Sequence, residues 1–389
     1  MTDLSGIVLS RRVSAVPLHA KRVQTGKILK QKQQNTMAEI EKINPTGLFS
    51  KTLLNDLRQI IDTARSHVAI TANQQLTMMY WHIGDRINRE VLGNERAEYG
   101  KQIVSMVATQ LTELYGKDFS PRNLHRMVQF AQLFPNEEIV STLSTKLFWS
   151  HFMEVLSIKN DVAREFYITL SANNHWGIRQ LRKEIDGMLF ERTAIATKPE
   201  ELIKKELANL RESETLSPDL VFKSPYFLEF TGLKGMYSEK SLEDSLVAHL
   251  EQFIMELGYG FTFVERQKRM IIDGEDFYLD LLFYHRKLHR LIAIDLKLGS
   301  FKAQYKGQME LYLRWLEKYE MQPGEEAPLG LLLCTEGSSE QIELLQLDKT
   351  GIRVAQYLTE LPSKEVLLRQ LHKSLEATKE IMPLTQSGK

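Results

Sequence analysis

The chain has 389 residues, 43% of them hydrophobic and 26% charged, proportions that support packed cores in two or three domains. Fifty Lys and Arg balance fifty Asp and Glu, so a nucleic-acid surface would have to be a local cluster rather than a global field. One cysteine, Cys334 in an apolar run, excludes an intrachain disulfide framework and a thiolate zinc cage; no apolar run approaches a membrane span and no hydrophobic segment follows Arg11-Arg12, so the expected compartment is the cytoplasm, without membrane association.

Residues 1–48 are expected to form a basic, disordered tail: positions 1–36 hold seven Lys or Arg and one acid, Asp3. The same composition fits an upstream start with Met37 as the first residue, or a basic arm on DNA phosphates. Residues 49–190 read as an all-helical domain. Leu53, Leu57, Ile60, Ala64 and Val68, then Leu76, Met79, Ile83, Ile87 and Val91, recur at three- and four-residue steps, which predicts one long helix or two joined ones with Gly84 as the only breaker. A second helix is expected over 101–115, ending at Gly116. Ser120 and Pro121 suit the N-cap and first position of a third, which stops before Pro135. Helix, short glycine-containing turn and a second helix opening on Arg122 and Asn123, with Arg126 one turn on, fits a helix-turn-helix that contacts DNA. An ordinary bundle helix with a solvated face is the first reading, and DNA contact the second. Helical pattern continues over 149–189, and Trp81, Trp149 and Trp176 suit core positions.

Residues 191–222 are charged and contain Pro199 and Pro218, as expected of a connector that is partly helical near 200–210. The period changes in residues 223–362. Ser238 caps a helix expected to run unbroken to Leu257, on a stripe of Leu242, Leu246, Leu250 and Phe253. Residues 261–272 and 276–285 are strands joined by Asp273-Gly274, a strong hairpin signal. A polar turn, 286–289, expected on the surface with His285 and His289 beside it, leads to a third strand over 290–298. A helix over 301–319, a strand over 329–334 and a short strand near Val354 complete an α/β domain with a mixed sheet. Residues 363–389 are expected to hold a terminal helix and tail.

Three charged residues sit where apolar ones belong. Asp280 interrupts Leu279 and Leu281-Leu282, and Asp295 and Lys297 flank Leu296 after Ile292-Ala293-Ile294. Burying a charge is costly unless it is paired or holds a metal. Asp295 and Lys297, two apart on a strand, share a face, and a hairpin brings Asp280 alongside. Two carboxylates can take a hard cation such as Mg²⁺ or Mn²⁺, and the ammonium can orient a water for attack on a phosphodiester. A plain ion pair of Lys297 with either acid is the bland alternative. Arg266, Lys268 and Arg269 on the first strand could line a groove for DNA. No G-x-x-x-x-G-K-[ST] loop is present, so no ATP motor is expected.

Asp280 together with Asp295-Leu296-Lys297, and Gln308 with Tyr312 on the following helix, resemble the PD-(D/E)XK nuclease core and the Gln-x-x-x-Tyr motif of its RecB-like branch. From about Leu53 to Leu361 the chain resembles the YhcG-type family, through Tyr80-Trp81-His82-Ile83-Gly84, Ala97-Glu98-Tyr99-Gly100, Phe119 to Leu124, and Trp149-Ser150-His151. The resemblance implies a restriction-endonuclease-like domain behind a helical one, and a magnesium-dependent nuclease acting on nucleic acid, above all DNA. It implies metal ligation by Asp280, Asp295 and the Leu296 carbonyl, with Lys297 holding the water. Gln308 would lie near the scissile phosphate with Tyr312 supporting it. It also implies a glutamate on the first core helix: Glu243 is the first choice and Glu251 the second. Lys302 and Lys306 beside the motif helix are candidates for holding phosphates. A homodimer, and a protein partner for the helical domain, are further expectations. A DNA-binding scaffold that keeps the fold without turnover is the competing class, and RNA the competing substrate. The pattern departs from the usual one in having Asp at 295 instead of Glu, and Leu279 instead of Pro before Asp280.

Overall fold

The computed structural model describes residues 51–373 except 93–96, 198–199, 337–338, 346, 364 and 371. The basic tail expected over 1–48 and the end of the chain beyond 373 lie outside the described residues.

The helical part contains α1 (Lys51–Leu92), α2 (Ala97–Tyr115), α3 (Pro121–Leu133), α4 (Glu137–Lys146), α5 (Trp149–Val155), α6 (Asp161–Asn174), α7 (Ile178–Asp186), α8 (Leu189–Thr197) and α9 (Glu200–Ser213). Gly84 does not break α1. It lets α1 meet α3 backbone to backbone, since a Cβ there would stand 1.9 Å from the Met127 carbonyl oxygen. The next turns of α1 are tied down by Trp81, whose indole donates to the Phe134 carbonyl at 2.7 Å, and by Asn88, which donates to the Val128 carbonyl at 3.1 Å. Trp81 and Trp176 are buried, and Trp149 packs on the rings of Tyr80 and Phe130. The sequence pattern assigned no element to 137–146. There Asn136 caps α4 by accepting from the Ile139 N–H, and Val140 and Leu143 are buried. The stretch over 149–189 is divided by an Asn160 cap and by His175, which ends α6 in the left-handed region (φ 52°).

The helix expected near 200–210 within the charged connector is present as α9, and it is packed rather than solvated on all sides. Ile203, Leu207 and Leu210 of α9 are fully buried in the same core as Phe152, Phe166 and Leu181. Its charged residues face solvent, and they masked the buried apolar stripe rather than the helix itself.

The α/β part carries β1 (Tyr226–Phe227), α10 (Glu239–Ala248), α11 (Leu250–Leu257), β2 (Phe261–Ile272), β3 (Glu275–His285), β4 (Arg290–Ser300), α12 (Ala303–Tyr319), β5 (Leu329–Glu336), α13 (Ser339–Leu344) and β6 (Ile352–Leu358). The sheet is mixed, in the order β1-β6-β5-β4-β3-β2, antiparallel across β2–β3–β4 and parallel across β4–β5–β6–β1. Ser238 caps α10, but the expected single helix breaks at His249 (φ −114°, ψ 38°). Asp273 and Gly274 both take positive φ (53° and 85°), the backbone of a two-residue hairpin turn. One sheet face buries Leu242, Leu246 and Phe253 of α10 and α11 against Phe283, Ile292 and Ile294. The other buries Met309, Leu313 and Leu316 of α12 against Leu282, Ala293 and Leu332.

The 286–289 turn is a correction to expectation. It joins β3 to β4, and Leu288 is 4% exposed, packed into the helical core. The Lys287 ammonium donates to the Asn173 carbonyl and side-chain oxygen, each at 2.5 Å, and to the Asn174 side chain at 3.2 Å. A second link is a buried ion cluster: Glu256 of α11 accepts from Arg192 of α8 at 2.5 Å and from the Phe227 N–H at 2.9 Å, with the Lys223 ammonium 3.5 Å away. Burial pulls the Lys223 ammonium down to about 8, against the pull of Glu256.

Candidate active site

The site forms where β3, still paired with β2, parts from β4. The β3–β4 ladder runs from His285↔Arg290 to Leu281↔Ile294 and stops. Beyond it, the Leu296 N–H of β4 is taken by the Asp280 carboxylate at 2.8 Å instead of by a strand carbonyl. On β3 itself, Leu281 and Phe283 feed the core under α10 and α11, whereas Leu279 and Phe277 feed the core under α12. Residues at steps of two should share a face, so the strand is turned at Asp280. The turn frees this one side chain from both cores, which is how an acid is accommodated in an apolar strand.

Asp295 follows on β4, 3% exposed, and accepts from the Lys297 ammonium at 2.8 Å. Lys297 also lies 5.3 Å from the centre of the Tyr305 ring. Burial, then the nearby Asp295, pushes the Asp280 carboxyl up to about 7. Burial likewise raises Asp295, against the pull of Lys297. For Lys297, burial works to lower the ammonium, and Asp295, Asp280 and Glu239 together outweigh it, so its value is raised. The pattern is two carboxyl groups with a shortage of positive charge between them.

Glu243 of α10 is 5% exposed and reaches the same place. Its Oε1 accepts from the Arg266 guanidinium at 2.6 Å and its Oε2 from the Gln267 amide at 2.8 Å; the same amide donates to Asp280 at 3.1 Å. Glu251 lies on α11, exposed to solvent, outside this cluster. Glu239, one turn before Glu243, accepts from the Leu298 N–H at 3.0 Å. From the opposite side α12 supplies Gln308 and buried Tyr312. The Gln308 amide donates to the Tyr312 hydroxyl at 2.6 Å, and that hydroxyl donates to the Tyr278 carbonyl at 3.2 Å. Burial raises Tyr312, with Asp295 and Asp280 adding to it.

The remaining candidates lie elsewhere or are engaged. Lys302 is exposed at the N-cap of α12, and Lys306 faces the Leu345 carbonyl (3.4 Å) and Glu310 (3.7 Å). Arg266 also pairs with Asp244, Lys268 with Glu265 and Glu320, and Arg269 with Asp276. On α3, Arg122 is exposed, Arg126 is half-buried, and Asn123 donates to the Asp118 carbonyl at 3.2 Å. His285, expected beside a surface turn, is instead wholly buried, lowered to about 4 by burial, and hydrogen-bonded to the Tyr259 carbonyl. Gln267 and Glu239 were not singled out from the sequence: a Gln inside Arg266-Gln267-Lys268-Arg269 and a Glu in a helix's first turn look like ordinary surface residues.

Among the described residues no group of three or more His, Cys, Asp and Glu side chains is set as a ready metal cage. The donors in hand are two carboxylates and the β4 backbone. That set suits a cation which keeps its waters and takes oxygens from one or two carboxylates and a substrate phosphate, as Mg²⁺ does, and not a closed structural site.

Two family models match the chain: one described as the DUF1016 N-terminal domain over residues 56–192, the other as the YhcG PDDEXK nuclease domain over residues 219–376. A protein of Escherichia coli (strain K12) named "Putative nuclease YhcG" is 33% identical over 344 residues, 80% of this chain and 91% of that protein. Among solved structures, a repair endonuclease from Pyrococcus abyssi aligns with 33% of this chain and 50% of its own, at 19% identity and a TM-score of 0.23. EndoMS in complex with double-stranded DNA aligns with 33% and 49%, at 18% identity and a TM-score of 0.24. The chain thus spans about half the length of the solved structures it matches.

Proposed function

The chain belongs to the YhcG family of PD-(D/E)XK nucleases, and from that premise we propose that it hydrolyses phosphodiester bonds of DNA with Mg²⁺ or Mn²⁺ held by Asp280, Asp295 and the Leu296 carbonyl. The observation that carries this reading is the buried Asp295 carboxyl with the half-buried Asp280 carboxyl, the latter pushed up to about 7, beside the Lys297 ammonium 2.8 Å from Asp295. Such a pair is relieved by a divalent cation and has no evident use as a core element. When bound, the cation supplies Lewis-acid stabilisation of charge on the phosphate oxygens and lowers the pKa of water.

The protein's own groups do the rest. The Asp280 carboxylate is aimed by the Leu296 N–H and the Gln267 amide. Lys297, anchored on Asp295, orients the attacking water with its remaining N–H donors. Glu243 closes the acidic cluster from α10, and Gln308, held by Tyr312, faces the phosphate from α12. The helical domain is assigned to binding DNA, with Arg122, Asn123 and Arg126 on α3, or to a protein partner. Lys302 and Lys306 are assigned to flanking phosphates. No helix among the described residues is long and apolar enough to cross a membrane; action on DNA in the cytoplasm is part of the proposal. A homodimer cutting both strands belongs to the same proposal.

The test is cleavage of plasmid, linear and single-stranded DNA, and of RNA, with Mg²⁺ or Mn²⁺, by wild type and Lys297→Ala. Metal-dependent DNA cleavage lost in the variant supports the reading. Folded wild-type protein that binds DNA and cuts none of these would move the function to a scaffold or a partner-dependent enzyme.

A further inference from the structure

We propose that Gln267 is a positioning residue of this site: its uncharged carboxamide ties the helix acid Glu243 to the strand acid Asp280, and so sets how tightly the acidic cluster takes a divalent cation. This rests on the cation reading above and deepens it.

One nitrogen carries the link. The two N–H groups of the Gln267 amide go to different carboxylates, Glu243 Oε2 at 2.8 Å and Asp280 Oδ1 at 3.1 Å. Glu243 belongs to α10 and Asp280 to the turned segment of β3, so the amide spans two elements that share no backbone ladder. N–H donors reach each carboxylate oxygen once, Arg266 and Gln267 on Glu243, Leu296 and Gln267 on Asp280, and the Asp280 carboxyl also lies in hydrogen-bond contact with Asp295. A carboxylate has about four lone-pair positions, which leaves acceptor capacity on every oxygen for a cation or its waters.

The backbone is shaped for this contact. Gln267 has φ 49° inside a strand, in the left-handed region that residues with a Cβ avoid. A register shift between Phe263 and Glu265 precedes it on β2. In a regular strand, neighbours point to opposite faces. Here Arg266 and Gln267 both reach Glu243, which the left-handed residue makes feasible.

Glutamine is the residue type that fits. Glu at 267 would add another carboxylate to a cluster already short of positive charge. Lys would neutralise the cluster and compete with the cation. Leu would fill the space and hold neither acid. Only an uncharged double donor couples two carboxylates without displacing the ion they are to hold, the task of residues that orient metal ligands from behind.

The experiment is calorimetric titration of the full chain with Mn²⁺ alone, without nucleic acid, for wild type, Gln267→Leu, Gln267→Gly and Asp280→Ala, with thermal melts in EDTA alongside. Gly takes the left-handed backbone without strain, so Gln267→Gly separates the side chain from the backbone. The expected result is Mn²⁺ affinity about 10- to 100-fold weaker in both Gln267 variants, no binding in Asp280→Ala, and a Gln267→Gly melt close to wild type. Wild-type affinity in both Gln267 variants overturns the inference and leaves the cation reading standing. Weakened binding in Gln267→Leu with wild-type affinity in Gln267→Gly also overturns it, by assigning the effect to the backbone. A wild-type protein that binds no Mn²⁺ overturns the cation reading and this inference with it.

Discussion

Replacing Asp280 by Asn makes a prediction opposite to the usual one for a buried polar group. The Asp280 carboxyl is raised from 3.8 to about 7, first by burial and then by Asp295. A raised folded value means that its contribution to stability is fully present below pH about 4 and is lost as pH rises through about 7. At 1.36 kcal/mol for each tenfold change, the displacement corresponds to about 4 kcal/mol against the ionised form. Water entry and the high effective dielectric of such sites reduce the recoverable part to about 2–3 kcal/mol. Asn is isosteric but has one acceptor oxygen where Asp280 uses two, for the Leu296 N–H and the Gln267 amide, and one lost bond costs about 1 kcal/mol. The metal-free Asp280→Asn protein is therefore expected to be more stable than wild type by about 1–2 kcal/mol at pH 8.5, or about 2–8 °C in Tm. At pH 4.5 it is expected to be equal or slightly less stable. Saturating Mg²⁺ should raise the wild-type melt alone and close the gap. The assay is thermal and urea unfolding at both pH values, with EDTA or Mg²⁺. A variant less stable than wild type at pH 8.5 without metal, or a difference that does not change with pH, would refute the electrostatic argument.

Other perturbations test the frame around the site. Leu288→Ala should cost about 2–4 kcal/mol in urea unfolding, because the side chain is buried in the helical core although its backbone belongs to the β3–β4 turn; a surface loop would lose almost nothing. Glu256→Ala should cost about 3–5 kcal/mol by leaving the Arg192 and Lys223 charges buried without their carboxylate, and an unchanged unfolding midpoint would contradict the ion cluster. Gly84→Ala should lower the thermal midpoint by the equivalent of about 1–3 kcal/mol, since its Cβ would collide with the Met127 backbone. Tyr312→Phe should leave Mn²⁺ affinity unchanged in calorimetry and slow DNA cleavage, because it frees Gln308 without touching Asp280 or Asp295; a loss of metal affinity would place Tyr312 among the ligand-orienting groups.

The strand acids were legible because their type contradicted their surroundings. Asp280, Asp295 and Lys297 interrupt apolar runs, and the structure brings all three together. The helix acid was legible only to within a choice; Glu243 shares the Gln267 amide with Asp280, whereas Glu251 lies past the break at His249 and is exposed. Gln267 gave no signal: a polar residue in the polar, edge-strand run Arg266–Arg269 is unremarkable until its left-handed backbone is seen, and no local pattern encodes that. The segments that misled did so through charge. The 191–222 connector, although its helix near 200–210 was expected, and the 286–289 turn both look solvated when side chains are counted by type. The first hides Ile203, Leu207 and Leu210 and the second hides Leu288, whose burial depends on chain segments distant in sequence. Asp273-Gly274, Ser238 and Ser120-Pro121 worked as signals because turn and cap chemistry is local.

The most direct test of the central claim is the anomalous diffraction of crystals grown or soaked with Mn²⁺. The account predicts a peak bounded by the carboxylates of Asp280 and Asp295 and the carbonyl of Leu296, with the Lys297 ammonium beside it. A peak placed elsewhere, or none at Asp280 and Asp295 in crystals whose site is open to solvent, would contradict it.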